Sequence, residues 1–188
     1  STASRQLGDT EGAEAAARQL LSLDPTSLPG LSALARVLSD QFQYRQVVDL
    51  LSPLAQDAGV RVKGREDEAA AALAQLGLAH QQLGEYDAAI GAFTSARALA
   101  PTDATFDLYV VQALIAARRF DRAAEVAAEA LKAHPDELRL IRLRAQALSR
   151  LGRGAEAIAS LESAVKAESR SPQLALALAD AYAAEKRY

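Results

Sequence analysis

Few residues of this chain could do chemistry: the two histidines, His80 and His134, the tetrad "HPDE" at 134–137, and five arginines between Leu138 and Arg153. His134, Asp136 and Glu137 bring an imidazole and two carboxylates into one short stretch, a set that could collect a metal ion. The same tetrad reads more simply as a proline turn followed by acidic residues opening a helix, where the helix dipole favours negative charge by about 0.3–1 kcal/mol. "LGRG" at 151–154 is too short for a phosphate loop and sits at a helix-helix turn rather than after a strand. Gly-x-Ser-x-Gly, Walker and zincin patterns are missing from the sequence. Catalysis needs an acid, base, nucleophile or metal set converging in one pocket. The sequence offers no such set, so neither an enzymatic activity nor a cofactor is expected.

The arginines are the stronger signal. "LRLIRLRAQALSRLGR", residues 138–153, holds Arg139, Arg142, Arg144, Arg150 and Arg153 with no acidic residue among them. On a helix, spacings of three and eight put Arg139, Arg142 and Arg150 on roughly one face, where guanidinium groups can fork onto carboxylate or phosphate. A solvated charged face is the plainer alternative.

Composition bounds what such a face can serve. The formal charge of −3 argues against general attraction to nucleic acid or an anionic membrane, so any basic site must be local. Half of the 188 residues are hydrophobic, yet only 5% are aromatic and there is no Trp, Cys or Met. The apolar content is therefore mostly Ala, Leu, Ile and Val, and alanine-rich sequence favours an all-α fold. Without cysteine there is no disulfide framework and no thiolate metal site. No apolar run approaches the ~18 residues of a membrane span. The chain opens on Ser1 with no signal-peptide pattern and no initiator Met, which suggests a trimmed segment and leaves cytoplasm and periplasm equally open.

The elements that must position the arginines announce themselves by repetition. "LGEYDAAIGAFTSARALAPTD", from Leu83 to Asp103, places Gly84, Tyr86, Ala89, Phe93, Ala96 and Pro101 at intervals that recur 34 residues on as Phe120, Ala123, Ala127, Ala130 and Pro135. The column through Ala89 continues to Ala123 and Ala157, and that through Ala96 to Ala130 and Ala164. A repeat of this length is one supersecondary unit that cannot bury its own apolar face, so stacked copies must share a continuous core. Small residues at Gly77, Ala89 and Ala96 let helices approach closely, and Tyr86 and Phe93 fill the space between them. Pro101 and Pro135 fall after helix ends, where proline cannot continue the hydrogen-bond ladder.

With small residues at the eighth, twentieth and twenty-seventh places, aromatics near the seventeenth and twenty-fourth and proline at the thirty-second, the pattern resembles the tetratricopeptide repeat, a helix-turn-helix unit. The resemblance spans nearly all of the chain and implies a right-handed superhelical solenoid of antiparallel helix pairs. Its register gives full repeats at 28–61, 70–103, 104–137 and 138–171, flanked by half-repeats at 1–27 and 172–188. His80 then occupies the eleventh place of its repeat, a packing position. Three departures stand out: Tyr44 and Tyr86 are 42 apart, which predicts an insertion around 58–69, with a loop at 58–65 and a helix beginning near Glu66. Pro53 should kink or shorten its helix. Gly154 and Ser169 replace the usual aromatic and proline.

In such arrays the first helix of each repeat lines a concave groove. Carried over by register, this points inward Ser32, Arg36 and Ser39; Ala74, Leu78 and Gln81; Thr105, Leu108, Gln112 and Ile115; Arg139, Arg142, Gln146 and Ser149; then Leu176 and Asp180. Leu78, Leu108 and Ile115, with Tyr109 at the edge, would form an apolar strip, although a groove leucine can equally touch neighbouring helices. A known subfamily clamps a terminal carboxylate with Lys, Asn and Arg; the matching places here hold Ala74, Leu78, Tyr109, Arg139 and Leu143, and only Arg139 fits. The resemblance therefore implies a non-catalytic protein-protein interaction scaffold whose groove takes a partner peptide or protein, with an acidic partner expected at Leu78, Leu108, Tyr109, Gln112, Arg139, Arg142 and Gln146. The alternative is a scaffold segment of a larger bacterial machine, such as an exopolysaccharide-export protein or a glycosyltransferase, with its chemistry outside these residues. Uncovered apolar faces at 10–23 and 172–185 would favour self-association.

Overall fold

Alanine-rich segments punctuated by glycine and proline form ten α-helices and no strand among the described residues. The computed structural model describes residues 2–61, 63–167 and 171–185, with side chains described for 11–55, 63–166 and 171–185. The chain divides into two compact units, Ser1–Pro101 and Thr102–Tyr188, a boundary that the 34-residue period runs through without announcing. The first unit holds α1 (Thr2–Leu23), α2 (Leu28–Asp40), α3 (Tyr44–Arg61), α4 (Glu66–Gln82) and α5 (Tyr86–Leu99). The second holds α6 (Ala104–Ala116), α7 (Phe120–Ala133), α8 (Leu138–Arg150), α9 (Gly154–Ala167) and α10 (Pro172–Glu185). In each unit a helix packs on the next along the chain; in addition α2 lies beside α4, and α6 and α10 flank α8.

The helix starts follow from capping chemistry. Ser27 Oγ accepts from the Gly30 N–H at 3.4 Å, Asp103 Oδ1 from the Thr105 N–H at 2.9 Å, and Glu137 Oε1 from the Arg139 N–H at 3.2 Å. Each satisfies a donor that the helix itself cannot. Glu66, Asp67 and Glu68 open α4, where the dipole favours them.

The joints lie where the small residues are. Ala89, Ala123 and Ala157 are all 0% exposed. Phe93 is fully buried over Gly77, so closely that a Cβ on Gly77 would stand 2.5 Å from its ring. Tyr86, expected to fill the same space, is instead exposed.

Two local expectations change, and a third falls partly outside the described residues. The helix α3 runs on to Arg61, so residues 58–61 lengthen a helix instead of forming a loop, and the eight extra places are largely taken up in helical turns. Pro53 lies inside α3 without shortening it. Gly154 begins α9, and Ser169 lies outside the described residues.

One group was not anticipated. Glu85, at the α4–α5 turn, takes His80 Nδ1 at 2.7 Å from α4 and Arg45 Nη1 at 2.9 Å from α3, joining three elements of the first unit. His80 is thereby a structural residue, and its contact holds the Glu85 carboxyl below the usual range.

Paired glycine substitutions test the joint. Both Gly77 and Gly91 sit within helices, so alanine carries the same intrinsic gain at each. Gly77→Ala is expected to lose about 1–3 kcal/mol through overpacking on Phe93. Gly91→Ala, with nothing within 4 Å of the added Cβ, should be neutral or stabilising by up to about 1 kcal/mol. Urea midpoints decide, and equal shifts would remove the joint.

The turns supply a second test. Gly84 and Gly152 adopt φ of 75° and 73°, and the corresponding places in two other turns hold Phe42 and Arg118 at 60° and 59°. A side chain in that region costs about 1–2 kcal/mol. Arg118→Gly and Phe42→Gly should each stabilise by a net of about 0.5–1 kcal/mol once the added freedom of the unfolded chain is subtracted. Unchanged melting of Arg118→Gly would refute the strain.

Candidate functional site

The arginine face forms on α8, and the structure sorts its members. Arg139 folds back on its own helix start: its Nε lies 3.0 Å from Glu137 Oε1 and its Nη2 3.4 Å from Oε2. The reason is local, because the residue that caps α8 stands two places before the guanidinium and is a carboxylate. Glu137 is thereby held below the usual carboxylate range, chiefly by the Arg139 hydrogen bond, and Arg139 is raised by the same contact. The metal reading of the tetrad loses Glu137 to this pair and to the cap. Arg142 and Arg150 are exposed and make no hydrogen bond or ion pair with the described residues.

These two arginines border a cavity of about 460 Å³ between α8 and α10. Its apolar part is Ala145, Leu161, Leu176, Ala177 and Ala181, and Gln146, Ser149, Gln173 and Asp180 supply polar groups. The space exists because alanines on the facing helices leave room between them. Leu176 is 65% exposed at its edge. A second cavity of about 470 Å³ adjoins it at the start of α8, lined by Asp136, Glu137, Leu138, Arg139 and Leu174, with Arg142 and Gln173 common to both.

The expected site residues separate accordingly. Arg142 and Gln146 meet on one cavity, and Arg139 reaches the other already paired. Gln112 is exposed on α6 and Tyr109 half-buried there, near enough to Arg139 to support its charge. Leu108 is a correction: at 3% exposure it belongs to the core, because α6 is apolar nearly all round and packs on both α7 and α8. Leu143 is buried in the same way. Leu78 is 39% exposed on α4 and belongs to the first unit, apart from the other six. Gln173 was not singled out from the sequence; a lone glutamine two places into a helix carries no periodic signal.

The geometry defines a helical-repeat protein with an open, partly cationic face on alternate helices. A sequence model described as tetratricopeptide repeat matches residues 74–137 and 142–188, and another of the same description matches 1–27. The chain belongs to the tetratricopeptide repeat (TPR) family, whose members are protein-interaction scaffolds and generally non-catalytic. No curated protein sequence matches it. Among solved structures it is similar to MamA, at 23% identity and a TM-score of 0.69, over 88% of this chain and 86% of that one. YrrB, described as a TPR protein with an unusual peptide-binding site, gives 17% and 0.66 over 92% and 84%. The second TPR domain of human RPAP3, solved with an HSP70 peptide, gives 20% and 0.50 over 56% and 88%. At these identities the likeness is one of fold. No described helix is long and apolar enough to cross a membrane.

The Glu137–Arg139 pair has a pH signature. Because the folded carboxyl is depressed, its contribution to stability is complete above the unfolded value of about 4.3 and fades as pH falls through the lower folded value. Glu137→Gln should flatten the loss of stability between roughly pH 5 and pH 3. Urea unfolding across that window checks it; an unchanged slope would show that the pair contributes nothing.

Proposed function

We propose that this chain is a non-catalytic interaction scaffold that takes a segment of a partner protein on the α8–α10 face of its second unit. The observation that carries this reading is the meeting, on one cavity, of two unpaired guanidinium groups with an alanine-walled apolar recess. Such a recess takes one apolar side chain, and Arg142 and Arg150 accept carboxylates nearby, so the segment is acidic with an apolar anchor. Charge-assisted hydrogen bonds to a partly desolvated carboxylate contribute about 1.5–3 kcal/mol each, against almost nothing for exposed pairs. Arg139 contributes less than the sequence suggested, since a partner must compete with Glu137 for it. The HSP70 peptide on RPAP3 and the peptide-binding site of YrrB support the class of ligand, each for its own protein.

A photo-crosslinking residue placed at Gln146 should capture the partner from cells, and one at Arg118, on a turn, should not. In the Gln146 background, Arg142→Glu with Arg150→Glu should abolish capture while melting is unchanged, because neither arginine is buried. Arg118→Glu is the control for diffuse attraction. Equal loss from the control would sink the assignment of this face.

A further inference from the structure

Each unit carries a groove that occupies the same place in the fold; the one in the second unit shares no lining residue with the α8–α10 cavity and meets the cavity at the start of α8 at Asp136 and Leu138. In the first unit it is lined by Leu21, Pro25, Leu28, Leu31, Leu50 and Leu54 among others, and encloses about 320 Å³. In the second unit it encloses about 1020 Å³. One side is kept: Leu21, Pro25, Leu28 and Leu31 correspond to Leu131, Pro135, Leu138 and Ile141, counted from the helix starts Leu28 and Leu138. The other wall is cut back. Leu50, Pro53 and Leu54 on α3 become Ser160, Ser163 and Ala164 on α9.

The first unit thus shows what this groove holds when the chain fills it from within: aliphatic side chains against a leucine floor. In the second unit the floor remains and the filling is missing. Its charges are also distributed unevenly. Asp136 stands exposed near the α7–α8 turn, and Arg144 lies half-buried on α8, neither in a hydrogen bond or ion pair with the described residues. Glu156, also on the wall, is bound to Arg153 through contacts of 2.7 Å, and Arg144 acts on it only through its charge, at longer range.

We infer that the groove between α7, α8 and α9 is a docking site for a partner segment presenting two neighbouring aliphatic side chains, a carboxylate that meets Arg144, and a cation that meets Asp136. The aliphatic pair replaces the side chains that Leu50 and Leu54 supply in the first unit. The two opposite charges, set apart along the groove, fix the direction in which the segment lies. This site is independent of the α8–α10 face, which uses Arg142 and Arg150.

The test fills the groove with the first unit's own side chain. Short random peptides displayed on phage are selected on the wild-type protein and counter-selected on Ser160→Leu, a half-buried wall position outside the joint column of Ala164. Selected peptides should share an aliphatic pair flanked by an acidic and a basic residue. They should bind the filled variant more weakly by about tenfold or more, the loss of one buried aliphatic side chain. They should bind Arg142→Glu as they bind the wild type, which separates this site from the other face. Arg144→Glu, a milder change, should shift the selected sequences from acidic to basic at the facing position. Peptides that bind filled and wild-type protein equally, or that depend on Arg142, or that ignore the Arg144 reversal, would each overturn the proposal, as would a selection that enriches nothing.

Discussion

The close approach of helices at buried alanines is the constraint on which the rest of this molecule depends. A helix pair with an apolar face on each side cannot be stable alone, and the only way to cover those faces is to stack on a neighbour at short range. Ala89, Ala123 and Ala157, each without exposed surface, make that range possible, and Gly77 allows Phe93 to lie flat across the joint. Every larger side chain is placed by the space these small ones leave. Leucines fill the cores of both units, and where alanines face each other, as at Ala145, Ala177 and Ala181, a cavity remains.

That packing also decides which charges stay free. Helix starts leave unsatisfied N–H groups, and the residues recruited to cap them are polar or acidic. Glu137 does this for α8, and in the same position it neutralises Arg139. Arg153 is bound similarly by Glu156, one turn further on. The cations left for a ligand are those that no capping carboxylate among the described residues pairs with, and Arg142 and Arg150 are of that kind, while Arg144 makes no ion pair with the described residues but lies within the field of Glu156. Because α8 sends Arg142 and Arg150 to one cavity and Arg144 to another, one helix serves two faces with separate chemistry.

Much of this was legible in the residues. The period located the helices because its columns are set by residue shape: closely approaching helices favour small side chains at the joint, and proline cannot sit inside a ladder without cost. The glycines of the turns were legible for the same reason, although Phe42 and Arg118 show that a stable stack can force other residues into the left-handed region. The arginine face was legible as a face. What could not be read was the fate of its members, because a salt bridge within two residues depends on the rotamer and on which atom caps the helix.

The sequence by itself determined the helix-pair repeat and its joints, since these depend on residue type and spacing along one chain. Only the tertiary structure decided that Leu108 is core, that Arg139 is spent on Glu137, that extra residues lengthen α3, and that cavities open beside α8. The physical reason is that periodicity assigns a residue to a side of its own helix, whereas burial and pairing are set by what the neighbouring helices bring against that side. Leu50 and Ser160 hold the same place in the repeat, and only the packed neighbours turn that one difference into a narrow groove in one unit and a wide one in the other.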